Sequence, residues 1–472
     1  MTSVEAHADG ATGDWQSGSL VYRRGWLAST GAISHDVAAD WPVTQAGPFA
    51  LRVHPALGWA SYDHAGSGAV ILGDPVDLDA TTTDRRAIAR RAAISSDPLR
   101  YVAGLGGRFA CLVYVGDVVT VIPDCVAAMP VYWHRGRDAT VTLASHSNLV
   151  RETVNAGIDD SIAAFMRHAK TVGAPATLYW PGIETPYQGV VALLPNHVLR
   201  VNGGRVEHDR FYPFPETQLP SSVESAYAQF HDLFSTHVRL ICGLGRIGIS
   251  LTGGRDSRAT LAAARPFLGP DALTWTYYKF QAPDRGMQAD LLEANAIAWR
   301  ANLPHRIVSV EESAGEFAVA YARTFRHTPQ FRVLAEAYRA QLPHDIVEMQ
   351  SMVAEIGTGF YKRRDAPFSI DRLTHLYGRG EFARSPAITA AIERFVEYGS
   401  FDPTRFGPID YHDLFYWESR IGRWGTLRMQ EVDLAHQIAL PYNSRGIVEA
   451  LQGPSLADRV DKQALSRFIG QD

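Results

Sequence analysis

The run from Ile247 to Leu261, Ile-Gly-Ile-Ser-Leu-Thr-Gly-Gly-Arg-Asp-Ser-Arg-Ala-Thr-Leu, leaves few folds open. It begins as an apolar stretch of strand type, breaks at Gly253-Gly254, and resumes as a helix pattern over Ala259 to Ala264. A buried strand that turns at once into a helix makes an anion cradle: backbone N–H groups and the positive helix end point at one spot. The glycines let that backbone approach a phosphate closely. Thr252 and Ser257 offer hydroxyls to the same anion, and Asp256 stands where a carboxylate holds Mg²⁺ against phosphate oxygens.

The spacing is neither that of a Walker loop nor that of a dinucleotide fingerprint. The string resembles the Ser-Gly-Gly-x-Asp-Ser signature of the pyrophosphate-loop ATP enzymes, with Thr252 in the serine place. An ordinary strand–turn–helix corner is the bland alternative. Downstream, Ala272 to Tyr278 reads as a second apolar strand, Gln281 to Gly286 as a loop, Met287 to Asn302 as a helix and Arg306 to Val310 as a third strand. Alternation of this kind predicts a parallel doubly wound sheet with its ligand at the strand C-termini. From Ser313 onward the pattern is almost wholly helical, with Ala314–Phe325, Phe331–Gln341, Ala387–Tyr398, Tyr411–Arg428 and Ser444–Leu451 clear.

The half before the loop is different. Leu20–Tyr22, Trp26–Leu27, Phe49–Val53, Ala69–Leu72, Arg108–Tyr114, Val118–Ile122, Val131–Trp133 and Thr140–Ala144 are short runs of strand type bounded by Gly, Asp or Pro. Helical patches at Asp84–Ser95 and Ser161–Lys170 intervene, so the reading is an α+β sandwich. Pro213 to Ser222 looks like a linker and Val223 to Leu240 like the helix leading into the glycine loop. Residues 1–18 read as a disordered polar tail without the basic and apolar parts of a signal peptide.

At 472 residues the chain is long enough for two or three domains, and its net charge of −5 gives no electrostatic footprint for nucleic acid. No apolar run reaches bilayer length, so no membrane span is expected. Cys111, Cys125 and Cys242 lie far apart in apolar surroundings and read as small buried hydrophobes, which fits a reducing cytoplasm.

Both halves resemble one family. Leu105-Gly106-Gly107-Arg108-Phe109-Ala110, Pro123-Asp124, Met129-Pro130-Val131-Tyr132, Leu143-Ala144-Ser145-His146, Leu194-Pro195-Asn196-His197 and Phe211-Tyr212 follow the order of framework positions in the glutaminase domain of asparagine synthetase-type enzymes. The second half is similar to the synthetase domain of that family. The resemblance implies an Ntn-hydrolase-like sandwich over residues 19–212 and, over 223–472, an adenine-nucleotide α-hydrolase-like parallel sheet with a large helical extension. The family's glutaminase uses a cysteine at the processed N-terminus with its own amine as base. Here position 2 is Thr2, ahead of the polar tail, so the first domain reads as a retained scaffold without glutaminase activity.

The resemblance also implies site residues. Enzymes of this group adenylate a carboxylate with ATP and release pyrophosphate, and an amine then displaces AMP. Thr252, Gly253, Gly254, Asp256 and Ser257 would cradle ATP, with Asp256 as metal ligand; the alternative for Asp256 is a carboxylate that only answers the helix dipole. Ala354-Glu355-Ile356-Gly357-Thr358-Gly359-Phe360-Tyr361 is similar to the family's Gly-Glu-Gly-x-Asp-Glu segment, which makes Glu355 the residue of amine activation. The family's second metal-binding aspartate falls near Thr358 and is missing. Lys362 and Arg363, with Arg364, could clamp pyrophosphate, as could Lys279 and Arg285, or form a solvated face. Glu418 could orient the base, and Arg423 could face the phosphates. A later lysine of the family has no counterpart, and Lys462 or Lys362 could stand in. His436, Trp417, Trp424 and Phe415 read as core residues.

The expectation is a cytoplasmic ATP- and Mg²⁺-dependent ligase that joins a small-molecule or peptide carboxylate to an amine from a source other than glutamine, as in β-lactam synthetases or lasso-peptide cyclases. A homodimer is open as its assembly. The rivals are an ammonia-using asparagine synthetase-like enzyme, a catalytically silent scaffold, and a different pyrophosphate-loop chemistry.

Overall fold

The computed structural model describes residues 19–33, 38–161, 164–165, 179–282, 284–311, 315–327, 331–378 and 383–470. The expected tail, Thr2 and most of the Ser161–Lys170 patch lie outside these residues.

In the first half, strand residues bury both faces. In Ser67–Val76, Val70 and Leu72 point one way and Ala69 and Ile71 the other; in Gly106–Val115, Ala110 and Leu112 alternate with Cys111 and Val113. A strand apolar on both faces needs cover on both sides. The cover is a four-layer arrangement. Two six-stranded sheets face each other. Trp26, Phe49, Leu51 and Val53 of one pack on Val70, Leu72, Leu112 and Val121 of the other. Helices Arg85–Ile94 and Pro98–Gly104 cover the outside of the second sheet through Ile88, Ala92 and Val102. Helix Ser147–Val154 covers the outside of the first through Leu149 and Val150. All ladders in these sheets are antiparallel, and the architecture is the α+β sandwich that the pattern called for.

One expected strand is absent. Leu20–Tyr22 is part of a turn, with Tyr22 and Arg24 at positive φ, because Arg24 is drawn inward to Asp74 (2.7 Å) and to the Ala56 carbonyl (3.1 Å). Strands Val43–Ala46, Trp59–His64, His197–Asn202 and Arg205–Arg210 are additions.

Ser222 caps the helix Val223–Cys242 through a reciprocal box with Ser225. The helix leads to strand Arg246–Ser250, the centre of a five-stranded parallel sheet. Gly248 is there for packing: a Cβ would lie 2.5 Å from the Trp275 ring of the neighbouring strand Leu273–Tyr278. The edge strand His305–Ser309 completes one side. On the other side the chain departs from the nearly all-helical expectation. Ile346–Met349 and Gln437–Ala439 are strands of this sheet, too short to show a period and, in Ile346–Met349, buried at every position. Tyr411–Val432 is continuous helix, but its middle, Tyr416–Gly425, is π-helical.

The two halves share one apolar core. Val76, Cys125, Val126, Leu194 and Tyr212 join the cluster that holds Ile249, Trp275, Met349 and Trp417. Polar pairs fix the contact. Arg108 donates both ends of its guanidinium to Asp433 at 2.6 Å. Arg210 does the same to Glu418 at 2.6 and 2.7 Å. Asp124 accepts from the backbone N–H of Phe109, Val126, Ala128 and Met129 and from the Asn443 amide. The Gly-Gly-Arg-Phe, Pro-Asp and Pro-Asn motifs of the first half are thus its docking face for the second.

Candidate active site

Thr252, Gly253 and Gly254 form the turn after strand Arg246–Ser250, and helix Arg255–Ala264 starts directly behind it. The Ser257 hydroxyl accepts from Thr252 N–H (3.2 Å), and the Thr252 hydroxyl accepts from Gly254 N–H (3.1 Å). Asp290, from the helix Arg285–Arg300, accepts from Gly253 N–H at 3.2 Å. A carboxylate therefore already sits on one donor of the cradle. A Cβ on Gly253 would stand 2.5 Å from the Glu293 carboxylate.

Asp256 lies in the first turn of the helix. Its Oδ2 accepts from Lys462 Nζ at 2.5 Å, and its buried Oδ1 has no partner among the described residues. The Tyr442 hydroxyl holds the Asp256 carbonyl at 2.9 Å, and the Thr260 hydroxyl links that turn to Ser351 at 2.8 Å. Of the two lysines the sequence offered as substitutes, Lys462 is the one at the loop. Lys462 is in left-handed conformation at the start of the last helix, Gln463–Ile469.

Glu355 comes in from a third segment, the short helix Ala354–Gly357 beyond strand Ile346–Met349. Its buried Oε2 has no partner among the described residues either. Burial, and then the negative charge of Asp256, push its carboxyl up to about 7, against the pull of Lys462 and Arg428. A carboxylate at that value is suited to take a proton near neutral pH. Its turn is held from behind: Arg459 donates to the carbonyls of Gly357 (2.7 Å) and Ile356 (3.3 Å) and to Asp413 (2.7 Å). Gln350, buried just ahead of this turn, has neither side-chain amide atom paired among the described residues.

The donor set fits a cation brought in by a nucleotide. Mg²⁺ is commonly bound by one or two carboxylates plus phosphates, and Asp256 Oδ1 is one such oxygen. Thr358, in the place of a second ligand, is a buried side chain at the end of the Glu355 turn. Among the described residues no group of three or more His, Cys, Asp or Glu side chains forms a metal cage.

Other expected residues fall elsewhere. Glu418 is not at the loop: it is fully buried, and Arg210 and Asn196 of the first half take its carboxylate. Its part is to join the halves, a correction that follows from the hydrogen bonds Arg210 and Asn196 of the sandwich make to its carboxylate. Arg423 likewise donates to the Glu184 carbonyl of the first half. Arg364 is held by Asp413 at 2.5 and 2.8 Å. Lys362 and Arg363 are exposed, with no ion pair among the described residues. His436 is buried against Glu348 at 2.7 Å, within the sheet and below the loop. The three cysteines are free, and burial raises their thiols, Cys242 to about 12, so none is poised as a thiolate. Asp290, Gln350 and Arg428 had no signal in the sequence beyond their residue type.

No protein-family model matches the chain, and no curated protein does. Among solved structures, the glutamine phosphoribosylpyrophosphate amidotransferase from B. subtilis, complexed with ADP and GMP, is 13% identical with a TM-score of 0.26; the match covers 71% of this chain and 77% of that one. A structure described as the allosteric regulatory enzyme of purine biosynthesis is 12% identical with a TM-score of 0.25, over 69% of this chain and 74% of that one. Overlaps this loose carry no argument about this chain. Among the described residues no helix is long and apolar enough to cross a membrane.

Proposed function

We propose that the chain is an ATP-dependent, AMP-forming carboxylate–amine ligase of the asparagine synthetase-like kind, with its first half serving as a scaffold. One observation carries the reading. Asp256, Glu355 and Lys462 come from segments about a hundred residues apart and are grouped at the glycine turn on the C-terminal edge of a parallel sheet. Ligands of such sheets bind at that edge. In this reading the loop N–H groups and Ser257 take phosphate oxygens, with Asp290 giving way. Asp256 Oδ1 holds the Mg²⁺ that accompanies ATP. Lys462 turns from Asp256 to the charge that develops as pyrophosphate leaves. Glu355 takes the proton of the incoming amine, and no glutamine is consumed.

The test separates the two half-reactions. Carboxylate-dependent exchange of labelled pyrophosphate into ATP reports adenylation; amide product reports the second step. Glu355→Gln is expected to retain exchange within about threefold and to lose at least about a hundredfold in amide formation, the size of a general-base contribution. Equal loss of both steps would remove Glu355 from the role of base.

A further inference from the structure

The helix Tyr411–Val432 carries Arg420, Trp424 and Arg428 at intervals of four. Rings hold both guanidinium groups. Arg420 lies 5.2 Å over the Phe360 ring and 5.0 Å over the Trp424 ring; Arg428 lies 5.7 Å over the Phe331 ring. Phe360 is stacked on Tyr416 at 4.3 Å, and Phe331 meets Trp424 edge-on at 5.8 Å. The result is a ladder, Tyr416–Phe360–Arg420–Trp424–Phe331–Arg428. Stacking occupies the faces of a guanidinium and leaves its N–H edge free to grip a carboxylate in two places.

Neither arginine is in an ion pair among the described residues, whereas Arg364, Arg423 and Arg459 nearby are spent on Asp413 or on carbonyls. Arg428 Nε and Trp424 Nε1 are buried with no hydrogen-bond partner among the described residues. Phe360 is 42% exposed, large for an aromatic ring so close to a buried acid. The ladder adjoins the site. Phe360 lies five residues beyond Glu355, and a Cβ on Gly425 would stand 3.0 Å from Met352 Sδ in the turn before it. The charge of Arg428 acts on the Glu355 carboxyl. Arg420 and Trp424 lie on the π-helical segment, and π-helical turns are uncommon and frequent at functional sites.

We infer that this ladder is the subsite for the carboxylate substrate and selects one with an aromatic body, the Arg420 edge gripping the carboxylate while the ring packs against the exposed Phe360. The inference rests on the ligase reading for its meaning, but its test does not need ATP. Binding of N-acetyl-L-tryptophan to the full chain, without nucleotide, is measured by ligand-observed NMR against N-acetyl-L-tryptophanamide, which lacks the carboxylate, and N-acetyl-L-alanine, which lacks the ring. N-acetyl-L-tryptophan is expected to bind about tenfold more tightly than either. Arg420→Gln should bring it down to the level of the amide, and Phe360→Leu should weaken it about threefold while the preference for the carboxylate stays. Equal binding of the three probes, or an unchanged preference in a folded Arg420→Gln protein, overturns the subsite. The tenfold preference in a protein that fails to bind ATP supports the subsite and overturns the ligase reading alone.

Discussion

At the residue scale, Glu355 is the informative group. Its carboxyl is raised to about 7 by burial first and by Asp256 second. Two consequences follow, with definite signs. Amide formation rises with pH through about 7 and levels off, because the base must be unprotonated. Folding stability moves the other way. The folded state holds the proton more tightly than the ordinary carboxyl at 4.5, so this contribution is present below 4.5 and is lost as pH rises to about 7. Relative to wild type, Glu355→Gln is therefore expected to gain on the order of 3 kcal/mol between pH 4.5 and pH 8 in urea melts. In ¹³C titrations Asp256→Asn should move the Glu355 midpoint down by part of its shift, since burial remains. An unmoved midpoint would mean that the two carboxylates are not neighbours. Glu418 makes the opposite case. Removing it leaves Arg210 buried without its partner, so Glu418→Ala should cost about 3 kcal/mol in denaturant melts, and a loss under about 1 kcal/mol would contradict its place at the joint. Asp256 and Glu355 stood out in the sequence because their neighbours carried a motif or a family position, whereas Lys462 was one of two lysines offered with neither. The place of Glu418 was not legible, since its partner Arg210 comes from the other half and a helical pattern names no partner.

At the element scale, the strand–glycine–helix unit explains itself. Gly248 lets Trp275 lie against the central strand, and Gly253 keeps the turn clear for the acids of helix Arg285–Arg300. Gly248→Ala is expected to cost about 1 to 3 kcal/mol through overpacking on Trp275 and Ile346; thermal melts that match wild type would show that the sheet gives way more easily. Long periodic elements were legible: Val223–Cys242, Arg285–Arg300 and Leu273–Tyr278 lie within two residues of the pattern. The short strands Ile346–Met349 and Gln437–Ala439 were not. A run of three or four mostly buried residues reads the same in either period, and only pairing decides it, of Ile346–Met349 with Arg246–Ser250 and of Gln437–Ala439 with Ile346–Met349.

At the scale of the whole molecule, the two halves behave as one body because their polar contacts are buried at the joint. Pro441-Tyr442-Asn443 shows the coupling in three residues: Tyr442 holds the Asp256 carbonyl, while Asn443 exchanges hydrogen bonds with Gly107 and reaches Asp124. The order of framework motifs in the first half was legible, but their purpose was not, because a docking face is defined only with its partner in place. Calorimetric unfolding of the full chain should give a single transition, and the segment 223–470 alone should melt lower or not fold; two separated transitions would mean that the halves are independent. The central claim is a nucleotide site at the Thr252–Ser257 loop, and titration calorimetry with Mg·ATP tests it most directly. Wild type should bind ATP with a saturable heat that depends on Mg²⁺, and Asp256→Ala should abolish it while remaining folded. A folded wild type that takes up no ATP at millimolar concentration would contradict the account.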